Sequence, residues 1–248
     1  MHSPTDVAAV LDLLAAGQND CQIERALGIP RRTVLDWRKG RIPGNRMRGL
    51  GISPCFVCRG QDAPRAAEYA YLLGLYLGDG CISRQERTYR MRFVLDAKYS
   101  GIVRECSAAL EAVVPPKRAS TTLRRGERCL EVWMYWNHWP CVFPQAGPGK
   151  KHLRRIELAA WQRELVGQHR QWFVRGLIHS DGCRYVAADR GRPSVRYGFS
   201  NRSQDIKDLL VESLDALGIS WTRSSLKEIA IYRAGSVMKL DEFVGPKY

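Results

Sequence analysis

The stretch YLLGLYLGDG, Tyr71 to Gly80, reads as an apolar helix that closes on an aspartate and a glycine. A helix C-terminus carries partial negative charge, so a carboxylate there is electrostatically out of place. The stretch FVRGLIHSDG, Phe173 to Gly182, has the same form. Gly74 and Gly78 stand four apart in the first, and Gly176 and Ser180 in the second. Positions four apart share a helix face, and small residues there let two helices approach closely. Paired along that face, the helices bring Asp79 and Asp181 together at their C-terminal ends. Carboxylates held so close raise each other's pKa unless a cation lies between them. A divalent ion neutralises both and also binds phosphate oxygens. Gly80 and Gly182 suit the left-handed residue that ends a helix.

Working outward, the chain reads as one unit used twice. YRMRF (Tyr89–Phe93) matches VRYGF (Val195–Phe199), each a short alternating strand. Helical patterns follow in both halves, SGIVRECSAALEAVV and SQDIKDLLVESLDALGI. Each half then gives a second strand pair, RASTTLRRGERCLEVWMYW with a turn near Gly126, and SWTRSSLKEIAIYRAG. FPQAGPGKK (Phe143–Lys151) echoes FVGPK (Phe243–Lys247). A repeat of this size packs as a pseudo-twofold pair. The expected organisation is a first repeat over residues 69–150, a connecting helix over 151–172 and a second repeat over 173–248.

Residues 1–48 read as a small helical domain with a basic arm. VAAVLDLLAAG stops at Gly17, Asn19 or Asp20 caps CQIERALG, and Gly28 turns the chain into IPRRTVLDWRKG. Ala26, Ile29, Val34 and Trp37 are the expected packed faces. The order resembles a helix-turn-helix, whose second helix enters the major groove. Arg31, Arg32, Thr33, Arg38 and Lys39 are then the DNA-facing residues, and RKGRIPGNRMRG reads either as an arm of the minor-groove kind or as a solvated linker. In the linker, residues 49–68, Cys55 and Cys58 form a CxxC, and His138 and Cys141 offer a second pair. Tetrahedral zinc needs four ligands, and one CxxC supplies two, so a zinc site is disfavoured.

The 248 residues carry a formal net charge of +14, most of it arginine. A chain this basic suits a polyanion partner, nucleic acid first. No run of about 20 apolar residues points to a membrane. The first residues include Asp6 and Asp12 and lack a basic region, so no signal peptide is expected. The eight cysteines are expected to be reduced, in a cytoplasmic, nucleoid-associated protein.

LLGLYLGDG and VRGLIHSDG resemble the two motifs of the LAGLIDADG, or dodecapeptide, homing endonucleases. The resemblance covers residues 69–248. It implies an α+β fold, a pseudo-twofold pair of αββαββα units with curved antiparallel sheets, here preceded by the small all-α helix-turn-helix domain. It implies a monomer with an internal pseudo-dimer that cuts both strands of duplex DNA at a specific site. Asp79 and Asp181 match the metal-binding acids, with Gly78 and Ser180 beside them, and magnesium is the implied metal. Gly74, Gly78, Gly176 and Ser180 match the helix-packing positions. Lys151, or its neighbour Lys150, and Lys247 stand where the family places a catalytic lysine. Leu77 and His179 replace the first acid of each motif. Arg84, Arg90, Arg92, Arg184 and Arg196 are the strand arginines expected on DNA. A non-cleaving regulator on the same fold is the alternative, and an RNA maturase is a weaker one.

Overall fold

The computed structural model describes residues 2–42, 55–124, 128–189 and 191–248. Most of the basic arm and the turn at Gly126 lie outside them. The chain divides into two compact units, Met1–Asp62 and Ala63–Tyr248. Among the described residues no helix is long and apolar enough to cross a membrane.

The first unit holds α1 (Pro4–Ala15), α2 (Asp20–Leu27) and α3 (Arg31–Arg38). Ser3 caps α1 in a capping box with Asp6, and Asn19 caps α2 in one with Gln22. Gly28 ends α2 at φ +67°, a conformation other residues rarely adopt. The Arg31 amide then donates to Glu24 at 3.0 Å, pinning the start of α3. Val7, Val10, Ile23, Ile29, Val34 and Trp37 form the core. Ile23 points inward where Ala26 was expected, because Ala26 lies on the exposed side of α2.

The second unit starts with α4 (Ala66–Gly78), followed by β1 (Gly80–Arg84), β2 (Tyr89–Asp96), α5 (Ser100–Val113), β3 (Ser120–Leu123), β4 (Cys129–Tyr135) and α6 (Trp139–Val142). A joining helix, α7, spans Ala160–Gln168. The order then repeats as α8 (Arg170–Asp181), β5 (Gly182–Asp189), β6 (Arg192–Ser200), α9 (Gln204–Ala216), β7 (Thr222–Arg223), β8 (Glu228–Ile231) and α10 (Ala234–Asp241). The two four-stranded sheets share one topology, β1-β2-β4-β3 and β5-β6-β8-β7, all antiparallel.

The expected curvature of these sheets is corrected by the structure: they are open and not curled. Every ladder runs through without a skipped partner, from the Gly80–Phe93 pair to the Arg223–Ile229 pair. A bulge would bend its strand, and these registers contain none.

Helices α4 and α8 form the centre of the unit. A methyl group on Gly74 would lie 2.3 Å from the Phe173 carbonyl oxygen. One on Gly176 would lie 2.2 Å from that of Tyr71, and one on Gly78 2.2 Å from Ser180 Oγ. The backbones touch, and only small residues permit it. Gly80 and Gly182 are not the left-handed caps expected of them. Gly182 is extended (φ −101°, ψ 170°), and both glycines open strands against the helix just left. A methyl group on Gly80 would meet Tyr76 Cα at 2.5 Å, and one on Gly182 would meet Ile178 Cα at 2.8 Å.

Candidate functional site at the paired helix ends

The glycine contact along α4 and α8 fixes where the two aspartates fall. A methyl group on Gly78 would lie 3.0 Å from Asp181 Oδ2, so the second carboxylate reaches across to the end of the first helix. Asp79 reaches the surface but is crowded by protein atoms. That crowding and the Asp181 charge push its pKa up to about 6. Burial also raises Asp181, and a hydrogen bond from Asn201 opposes the rise.

Two lysines answer the charge of the helix ends. Lys151 Nζ donates to the carbonyls of Tyr76, of Leu77 at 3.0 Å and of Gly78 at 2.8 Å, the last turn of α4. Lys247 Nζ donates to the Ser180 carbonyl at 3.1 Å, the last turn of α8. A cation at each C-terminus satisfies orphan carbonyls and complements the helix dipole. Burial lowers the Lys151 pKa to about 8, with the two aspartates opposing, and lowers that of Lys247 in the same way. A cavity of about 420 Å³ opens beside this centre, lined by Lys151, Arg154, Asp181, Asn201 and Arg202 among others.

Asn201 escapes a reading of the sequence alone. Its amide nitrogen donates to Asp181 Oδ2 at 2.6 Å, and its oxygen accepts from the Ser203 amide at 2.7 Å. Ser203 caps α9, so the only local signal at SNRSQD is that of a helix start. His179 is buried at the helix interface. Burial and the neighbouring Arg175 push its pKa down to about 3, so it is neutral, and the Tyr71 hydroxyl lies 3.0 Å from its Nδ1.

The arginines separate by strand parity. Met91, Phe93 and Leu95 are buried under the first sheet, which leaves Arg90 and Arg92 on its other face. Arg196 is on the corresponding face of the second sheet, next to buried Tyr197. Arg84 is exposed at the end of β1. Arg184 turns toward the helices and grips Asp241 through Nε at 2.8 Å and Nη2 at 2.9 Å. In the first unit Arg31, Arg32, Arg38 and Lys39 are exposed and Thr33 is half-buried, with Arg38 3.2 Å from Asp20.

The expectation that zinc is disfavoured is also corrected. Cys55 and Cys58 interact with each other in the first unit, His138 Nδ1 lies 3.9 Å from Cys141 Sγ in the second, and each of the four offers one ligand atom. Three thiols and an imidazole are a donor set that holds structural zinc, which makes zinc the metal this set fits. Burial pushes the Cys55 thiol up to about 12, so a bound zinc displaces a tightly held proton. Metal analysis of the purified chain is expected to find about one zinc per chain, lost in Cys58→Ser.

No protein-family model matches the chain, and no curated protein matches it in sequence. Among solved structures, it is similar to I-DmoI in complex with DNA and Mn at 13% identity, over 74% of this chain and 98% of that one, with a TM-score of 0.47. The N-terminal LAGLIDADG domain of DUF199/WhiA gives 14% identity, 73% and 83% coverage and a TM-score of 0.47. The meganuclease I-AabMI bound to uncleaved DNA gives 11%, 71%, 82% and 0.46. At such values the architecture rests on the chain's own elements and registers.

Proposed function

We propose that this chain is a duplex-DNA-binding protein of LAGLIDADG type. One observation carries the reading. The glycine-to-glycine contact of α4 and α8 joins two sheets of identical topology, each presenting arginine on the face away from its core. Two like surfaces on one rigid axis suit a long, roughly twofold DNA site. The helix-turn-helix unit on the same chain adds a second contact, and tethering raises its effective concentration. A net charge of +14 supports the phosphate contacts this needs.

Cleavage is a second reading, favoured by one observation. Asp79, Asp181, Lys151 and Lys247 meet at the helix ends, and both carboxylates are shifted toward protonation. A carboxylate pair whose pKa values burial raises fits a divalent cation, which favours the charged form of both. Such an ion, when bound, supplies charge neutralisation at a phosphate and an acidified water. Asp79 and Asp181 would hold it, Asn201 would fix the orientation of Asp181, and the lysine ammonium groups would face the phosphate from the two helix ends. The regulator is the same protein without the cut, since binding by the sheets and helical unit makes no demand on the acids.

One experiment separates the two. The purified chain is incubated with a random-sequence duplex library in calcium, then in magnesium or manganese. Binding that falls steeply with salt supports the DNA reading. Recurrent cuts in magnesium or manganese add the endonuclease, and binding alone leaves the regulator. Salt-insensitive or absent binding sinks both.

A further inference from the structure

The two sheet faces can be superposed residue by residue from their registers. Gly80 pairs with Phe93 and Phe93 with Val132 in the first sheet; Gly182 pairs with Phe199 and Phe199 with Ile229 in the second. Laying Phe93 over Phe199 and Val132 over Ile229 places Arg90 over Arg196, Glu131 over Glu228 and Tyr135 over Tyr232. All six side chains have the parity that points away from the buried residues. Arg90 lies opposite Tyr135 in the ladder, and the Arg196 guanidinium lies 5.8 Å from the Tyr232 ring.

The same superposition exposes two differences. Arg92 falls on Gly198, and Trp133 falls on Ala230. In the first sheet Arg90 sits 2.7 Å from Glu131 and lies over the Trp133 ring at 4.8 Å. Trp133 is itself held, with its indole nitrogen donating to Thr122 Oγ1 at 3.3 Å and its ring edge-on to Tyr135 at 5.1 Å. This arginine fork is preorganised by a carboxylate and an aromatic plane. At both places the second face has no long side chain of its own: Gly198 and Ala230 are buried, and the space over Gly198 is taken by Tyr185 and Glu228.

We infer that Arg90 and Arg196 read the same base, guanine, at matched positions of the two half-sites, while Arg92 and Trp133 make the first half-site the more stringent. An arginine fork pairs bidentately with guanine O6 and N7 in the major groove. Matched forks on a twofold axis therefore demand matched guanines. An added arginine and an indole ring at Arg92 and Trp133 offer base contacts that the glycine and alanine at 198 and 230 cannot make themselves. The inference rests on the duplex-DNA reading above, and holds whether or not the protein cuts.

Binding-site selection from a random duplex library, with the full chain in calcium, is the test. The expected consensus has two halves that share a guanine at one matched position, with more specified positions in the half bound by the first sheet. Arg90→Ala should relax that guanine in one half and Arg196→Ala in the other, each by about 10- to 100-fold. Arg90→Lys keeps the charge beside Glu131, and with it the local packing, but lacks the fork; it should relax the same position. Arg92→Ala with Trp133→Ala should level the two halves. Half-sites with no shared base overturn the assignment. So do arginine variants that weaken all sequences alike, which marks a phosphate contact. A chain that binds no duplex in the salt titration overturns the DNA reading itself, a failure visible before any consensus is sought.

Discussion

Asp79 occupies a position that ordinary folding would give to a lysine or a glycine. Its pKa of about 6 lies above the ordinary carboxylate value of 3.8, so between these values the folded chain holds more protons than the unfolded one. Stability therefore falls as pH rises through that window. Asp79→Asn is expected to remove this slope and to raise stability at pH 7 by no more than about 1 kcal/mol, because an exposed side chain is screened by solvent. Thermal melts of both proteins between pH 4 and 7 check it, and an unchanged slope would show that the acid is not strained. The same variant should retain DNA binding and, if the wild type cuts, lose cutting of at least one strand. Lys151 makes an opposite contribution. Its folded value of about 8 lies below the ordinary 10.5, so the unfolded chain binds more protons between the two and stability rises with pH there. Lys151→Met should flatten the alkaline limb of the stability profile, which chemical denaturation at pH 8 to 10 measures.

At the scale of elements, the paired helices hold the second unit together. Gly176→Val puts a branched side chain where even a methyl group would lie 2.2 Å from the Tyr71 backbone oxygen. Backbone cannot rotate away, so α4 and α8 must separate, and a loss of about 3 kcal/mol or more is expected in urea unfolding. Gly235→Ala is the control: it sits in α10 with nothing within 4 Å of an added methyl group, and should stabilise by about 0.5 kcal/mol. Equal effects of the two substitutions would mean the close approach is not what these glycines serve. This interface was legible in the chain, because small residues four apart and a terminal acid are local patterns that occur twice. Arg184 was legible in principle too. It has the strand parity of Gly182 and pairs with buried Tyr197, so it had to face the helices and Asp241. Asn201 was not, and of the Cys55, Cys58, His138 and Cys141 set the residues were legible but the fit to zinc was not. The partner of Asn201 is supplied by a distant segment, and nothing in SNRSQD says which carboxylate will arrive. Sheet curvature likewise depends on bulges, which a residue pattern does not reveal without the register.

For the molecule as a whole, the proposed DNA reading divides the work between the two units by charge and connectivity. The sheets offer outward-facing arginines on a rigid axis, whereas the helical unit presents Arg31 and Arg32 exposed at the start of α3. A tethered module multiplies affinity by its effective concentration without altering what the other module reads. Arg31→Ala with Arg32→Ala is therefore expected to weaken binding by about 10-fold or more at physiological salt, and to lower the salt slope by about 2 if both contact phosphates. The half-site consensus selected by the sheets should stay the same. Competition titrations on one selected duplex, repeated at several salt concentrations, measure both effects. Loss of the consensus along with the affinity would show that the helical unit itself reads the bases, and that the sheets serve as its clamp on the backbone. An unchanged affinity would separate the helical unit from DNA altogether, and its basic face would then need a different partner.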